Sequence, residues 1–249
     1  MTVNPLRIGM KKTMLLALGL VCIFSSYALA ANNTIRISTS YESLLSTPGQ
    51  TGMLDQILKE AFRRIGVEAE IVFTPNERSL VAVNDGMLDG EINRIAGMEK
   101  TYPNLVQVPE SNMTMHFVAF ATRDIPISGW ESLRSLRVGI ENGWKILERN
   151  TEGFPHLTRL MNASHLFSML HRDRLDVVLY SKLGGYELVR SLRCDHVHHL
   201  DPPLESREMF LYVHKAHQWL AVPVAEALRE MKRDGTYDRI VRNTTGYLR

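Results

Sequence analysis

Asn84-Asp85-Gly86-Met87-Leu88-Asp89-Gly90-Glu91-Ile92-Asn93-Arg94 is the stretch on which the reading of this chain turns. An apolar helical pattern ends at Asp85-Gly86, a short strand opens at Leu88-Asp89, and an arginine stands at or just past the strand's end. The pattern recurs at His171-Arg172-Asp173-Arg174-Leu175-Asp176-Val177-Val178-Leu179-Tyr180. Two helix, turn, Leu-Asp, strand units predict two similar α/β lobes, with a cleft between them as the place for function.

Upstream, Thr34 to Thr39 alternates as a first strand. Ser40 to Gln50 reads as a polar loop and Thr51 as an N-cap. Met53, Leu54, Ile57, Leu58, Ala61, Phe62 and Ile65 recur at helical spacing, and Gly66 stops that helix. Glu68 to Phe73 is a second strand, and Pro75-Asn76-Glu77-Arg78 turns into the helix that ends at Gly86. The order β-α-β-α-β implies a parallel sheet with helices on its faces. Downstream, Met115 to Thr122 is a long strand leading into new territory near Asp124. The second half repeats the design: a strand at Arg137 to Ile140, helices over 142–150 and from Ala163, a strand at Asp176 to Tyr180, and a helix over 183–192. Val197 to Leu200 and Glu208 to Val213 read as two separate strands, the second crossing back. Helices over 216–233 and 236–243 close the chain and are expected to pack on the first lobe. The predicted organisation is 31–122 for the first part of lobe one, 123–211 for lobe two and 212–249 for the return.

The first thirty residues read differently. Arg7, Lys11 and Lys12 precede the apolar run Met14 to Phe24, and Ala28-Leu29-Ala30 follows, the pattern of a cleavable signal peptide. The run is shorter than the ~20 residues of a spanning helix. Cleavage is expected after Ala30, with export to the periplasm. Removing those three basic residues from 29 leaves 26 against 27 acidic ones, so the basic surplus belongs to the leader. A nearly neutral remainder offers no attraction for nucleic acid. Of the 2 cysteines only Cys194 lies beyond the leader, so no intrachain disulfide is expected there.

Several phrases carry a resemblance. Ala227-Leu228-Arg229-Glu230-Met231-Lys232-Arg233-Asp234-Gly235-Thr236-Tyr237-Asp238-Arg239-Ile240, the run Gly52 to Leu58, Gly86 to Asp89, and Ser132 to Gly139 stand in the order found in bacterial extracellular solute-binding proteins of family 3. The chain resembles that family over 33–245. The resemblance implies the α/β, two-lobed type II periplasmic binding fold, each lobe a mainly parallel sheet flanked by helices, with two crossover strands as hinge. It also implies a monomer that clamps a small solute and presents it to a membrane permease of an ABC-type transporter, or to a membrane sensor. The chain departs from the amino-acid-binding branch. Ala96 to Pro103 holds no arginine where that branch grips the ligand's α-carboxylate, and Tyr180-Ser181 stands where it places an aspartate for the α-amino group.

Candidate ligand contacts follow from position. Arg94 ends a strand at the carboxyl edge of a parallel sheet, where ligands sit in open α/β sheets, and a guanidinium matches a carboxylate with two parallel hydrogen bonds. The competing reading is a salt bridge to Glu91, Glu99 or Glu110. Arg78 begins a helix facing the same edge, a setting that suits an anion, or is a solvated helix start. Tyr41 offers a ring wall and Glu42 an acceptor for an amine, unless both belong to an ordinary exposed loop. Asn142, Gly143 and Trp144 open a helix whose first N–H groups lack intrahelical partners, although Trp144 also suits a core. Tyr180 and Ser181 sit at the matching strand end of lobe two. Asp89 and Asp176 read as braces of their turns. Asp195, His196, His198 and His199 fall short of a closed zinc site, so no metal or cofactor is expected. A dehydratase-like enzyme on the same scaffold needs a carboxyl acid, for which Glu42 or Glu91 are the candidates. The expected activity is binding of a small anionic or zwitterionic solute, not turnover.

Overall fold

The computed structural model describes residues 1, 34–41, 43–74 and 76–248. The expected leader and its cleavage point lie outside the described residues, as does Glu42. The first half runs β1 (Thr34–Thr39), α1 (Met53–Arg64), β2 (Glu68–Phe73), α2 (Asn76–Asn84) and β3 (Gly90–Arg94). β1 pairs in parallel with both β2 and β3. The third strand therefore opens at Gly90, two residues later than the sequence indicates. The reason is Asp89: its backbone N–H donates to the Arg36 carbonyl, and its Oδ2 accepts from the Arg36 N–H at 2.8 Å. The Leu-Asp pair is thus the brace that starts β1 and β3 side by side. Gly90 then has to be glycine, because a Cβ there would lie 2.7 Å from Ile37 Cδ1 and 2.8 Å from the Tyr212 carbonyl oxygen.

The second half runs β5 (Met113–Ala121), β6 (Val138–Glu141), α3 (Lys145–Asn150), β7 (Leu157–Leu160), α4 (Ala163–His171), β8 (Val177–Ser181) and α5 (Lys182–Ser191). A short β4 (Leu105–Gln107) precedes it. β6 pairs in parallel with β7 and β8. Asp176 repeats the work of Asp89: it accepts from the Arg137 N–H at 2.9 Å and takes the Arg137 guanidinium as well. Both aspartates brace a neighbouring strand and not, as expected, their own turn.

The two strands expected between Val197 and Val213 are one, β9 (His198–His214). Its first part pairs antiparallel with β5, its last part with β3 and β4. Pro202 and Pro203 interrupt the pattern in the sequence, but they fall where the β5 register slips between Phe117 and Ala119. Bulges are where a strand tolerates proline. β9 thereby joins everything into the order β2-β1-β3-β9-β5-β8-β6-β7.

A short 3-10 turn (Lys215–Leu220), α6 (Ala221–Arg233), α7 (Thr236–Thr245) and a last 3-10 turn (Gly246–Leu248) follow β9. The single helix expected over 216–233 is thus two elements. Both α helices pack on α1. Arg64 on α1 meets Asp234 in the α6–α7 turn at 2.7 Å, and Lys232 and Tyr237 bond the Ser111 and Asn112 carbonyls ahead of β5. α1 is capped at Gly52, not Thr51. Asp55, fully buried, accepts from Ser46 Oγ at 2.6 Å and from the Thr47 and Gly52 N–H groups at 2.9 Å. That carboxylate ties the loop after β1 to the helix.

Candidate functional site

The carboxyl ends of β1 and β3 converge on a polar cluster. β3 carries an extra residue against β9 between Glu91 and Arg94, a bulge. A bulge bends a strand and re-aims its side chains. Within it Asn93 has φ 66°, a left-handed conformation that asparagine tolerates better than most residues. Asn93 is 1 % exposed, and its Nδ2 donates to the Tyr41 hydroxyl at 3.0 Å. Its Oδ1 is buried with no partner among the described residues. Strained, half-satisfied residues gather at functional sites.

Arg94, 24 % exposed at its side chain, meets Glu91 Oε1 through Nε at 2.8 Å and Nη2 at 2.7 Å, and reaches Ser40 Oγ at 3.4 Å. Of the three carboxylates the sequence offered, Glu91 is the one in this pair. Glu91 is 0 % exposed, and its other oxygen accepts from Ser79 Oγ on α2. Burial pushes its carboxyl above the ordinary range, while Arg94 and Ser79 pull it back. Burial likewise raises the Tyr41 phenol, against the bond from Asn93. The half-buried Tyr41 also lines a cavity of about 220 Å³ between the ends of β1 and β2, with Thr39, Thr47, Ile71 and Phe73. Arg78 is exposed on α2, one residue before the buried Ser79.

The facing edge in the second half is aromatic. The Trp144 ring centroid lies 5.2 Å from that of Tyr180 and 5.6 Å from that of Phe117. Their polar ends meet at Glu141, the last residue of β6. It accepts from Trp144 Nε1 and from the first N–H of α4, both at 3.1 Å. The Tyr180 phenol is raised by burial first and by Glu141 second. Ser181 is buried at the N-cap position of α5. α3 starts at Lys145, three residues later than expected, and the Gly143 N–H donates to Glu148 at 2.8 Å. The N–H expected to face a solute is therefore used within its own helix turn. Asn142 extends the β6–β7 pairing through the Leu160 carbonyl.

The two edges meet. Glu187 on α5 accepts from the Leu44 N–H at 3.1 Å, so the loop after β1 touches the helix after β8. In one half Asn93, next to Arg94 in the chain, bonds Tyr41; in the other Trp144 and Tyr180 stack, and Ser181 is buried at the following helix start. Asn93, Glu141 and Glu187 escaped the sequence reading. For Asn93 a signal existed: asparagine is a favoured residue for φ above zero, and it stands directly before the strand-end arginine.

No protein-family model matches the chain. An uncharacterized protein of Shewanella oneidensis is 25% identical over 191 residues, covering 74% of this chain and 72% of its own. Among solved structures, an ancestral cationic amino acid solute-binding protein matches with a TM-score of 0.71 at 20% identity, over 86% of this chain and 96% of its own. The sensor domain of a histidine kinase with similarity to periplasmic binding proteins matches at 0.68 and 17% identity, over 86% and 97%. The second substrate-binding domain of a putative amino acid ABC transporter from Streptococcus pneumoniae matches at 0.66 and 17%, over 85% and 99%. The chain therefore has the two-lobed α/β fold of the type II periplasmic binding proteins.

Proposed function

We propose that this is an exported solute-binding protein that closes on a small anionic or zwitterionic solute and hands it to an ABC-type transporter. The first arm comprises residues 31–122 and 212–249, the second 123–211, and β5 and β9 are the strands about which they move. The observation that carries the reading is Arg94 at the bulged end of β3, beside the strained, half-satisfied Asn93. A guanidinium there grips a carboxylate in two parallel hydrogen bonds, and Asn93 and Tyr41 supply neighbouring polar contacts. Trp144 and Tyr180 give the other side a flat, rigid wall.

Support for binding over turnover comes from the structures similar in fold, a solute-binding protein and a transporter's substrate-binding domain among them. One oxygen of Glu91 faces Arg94 and the other Ser79. The likeness to a histidine-kinase sensor domain supports a second use of the same clamp, docking on a membrane receptor.

Thermal unfolding against succinate, L-glutamate, L-glutamine and L-arginine tests the reading. A solute at 100 times its Kd stabilises by about 2.7 kcal/mol, a rise in Tm of roughly 5–10 °C for a chain this size. Arg94→Lys, which keeps a charge opposite Glu91 but loses the fork, is expected to abolish most of the shift given by an acid. A full shift in that variant, or no shift with any of the four, would refute the assignment.

A further inference from the structure

The pair that marks the site also has to change when an anion arrives. Arg94 spends two of its nitrogens on Glu91 Oε1, at 2.8 and 2.7 Å. Glu91 is 0 % exposed, so water does not share the charge. The charged or titratable groups facing it among the described residues are Arg94 on β3 and the Tyr41 phenol after β1. α2 faces it with the Ser79 hydroxyl and β1 with the buried Ser38 hydroxyl. A solute carboxylate on Arg94 therefore places two anions on one cation at a site that is dry on one side.

Resting on the proposed binding role, we infer that the solute's carboxylate displaces part of Arg94's hold on Glu91, and that Glu91 takes up one proton from solvent as the solute binds. Two carboxylates sharing a site do not both stay ionised, and the fully buried one is the one that neutralises. The surroundings accept either form. A serine hydroxyl both donates and accepts, so Ser79 Oγ donates to the carboxylate and turns to accept from the carboxyl. No covalent bond changes: the carboxylate gains a proton and the solvent buffer loses one. The protein then captures an anion together with a proton, and its preference for anionic solutes strengthens as pH falls.

Titration calorimetry of the full chain reads this directly. The probe is whichever of succinate and L-glutamate gives the larger thermal shift, titrated at pH 7 and 8 in phosphate and in Tris. These buffers differ widely in ionisation enthalpy, so the difference in binding heat counts protons. The expected result is an uptake of 0.5–1 proton, with affinity falling up to about tenfold per pH unit. Glu91→Gln is expected to lose both the uptake and the pH dependence. Equal heats in the two buffers, with binding intact, would overturn this inference and leave the binding role standing. Uptake that persists in Glu91→Gln would assign the proton elsewhere and overturn it as well. If neither acid binds, the carboxylate reading of Arg94 falls and the inference with it.

Discussion

Replacing Asn93 by glycine should cost this protein almost nothing in stability, although the side chain is 1 % exposed. Four contributions decide it. Glycine accepts φ 66° freely, a gain of about 1 kcal/mol over a residue carrying a Cβ. Removing the orphaned Oδ1 recovers a desolvation cost of about 1–3 kcal/mol. Against these stand the lost bond to the Tyr41 hydroxyl, worth about 1 kcal/mol, and the extra freedom of an unfolded glycine, about 0.5–1 kcal/mol. The sum runs from about zero to about 2.5 kcal/mol in favour of glycine. Asn93→Ala loses the same side chain and keeps the strain but escapes the unfolded-state freedom of glycine, so it should be the less stable of the two by no more than about 0.5 kcal/mol. Urea unfolding followed by circular dichroism at a common slope measures both. Solute affinity should fall in both variants, which separates the use of Asn93 from its cost. A loss of 3 kcal/mol or more in Asn93→Gly would show that the side chain holds the fold together, and the site assignment built on its strain would collapse.

Two further outcomes follow from the buried carboxylates. Asp55→Ala removes three hydrogen bonds and leaves the Thr47 and Gly52 N–H groups without their acceptor, so a loss of about 3–5 kcal/mol is expected in urea unfolding; a loss under 1 kcal/mol would mean that the loop after β1 is held by other contacts. Glu91 binds its proton more tightly folded than at its ordinary value of 4.5, so the stability it contributes is complete at low pH and is lost as pH rises through the folded value. The stability of Glu91→Gln relative to the parent should accordingly improve from pH 5 to pH 8, and a flat difference over that window would refute the raised value.

The fold was legible where chemistry is local. The Leu-Asp repeat is visible because a helix stop and a strand start adjoin in sequence, and the C-terminal helices because their apolar spacing is regular. What each aspartate does was not legible, since Arg36 and Arg137 are far away along the chain and only pairing of the strands brings their N–H groups within reach. The sequence reads β9 as two strands because nothing local announces that the chain continues through Pro202 and Pro203 by a register shift against β5. β7 was missed for the opposite reason: Leu157-Thr158-Arg159-Leu160 is an edge strand with no fully buried residue, so burial imposes little pattern on it. At the site, strand ends pointed to Arg94, Tyr180 and Ser181. Glu141 and Glu187 stayed hidden because their partners, Trp144 apart, lie on other elements.

The two edges differ in kind, and the difference constrains how such a site works. On the second-half edge Glu141 has a donor at each oxygen, from Trp144 and from the start of α4. The polar end of the aromatic wall is satisfied within the protein, and under the proposed role such a wall selects by shape. On the first-half edge Asn93 keeps a buried oxygen that no described residue matches, and Arg94 contacts Glu91 and Ser40. The Asn93 oxygen gains from a partner that no described residue provides. Only interactions that improve on contact favour the bound state, because a ligand shifts an equilibrium by no more than its differential affinity for the two states. Under the proposed role, charge recognition belongs to the bulged end of β3, where the buried Asn93 oxygen that no described residue matches stands beside the Arg94–Glu91 pair.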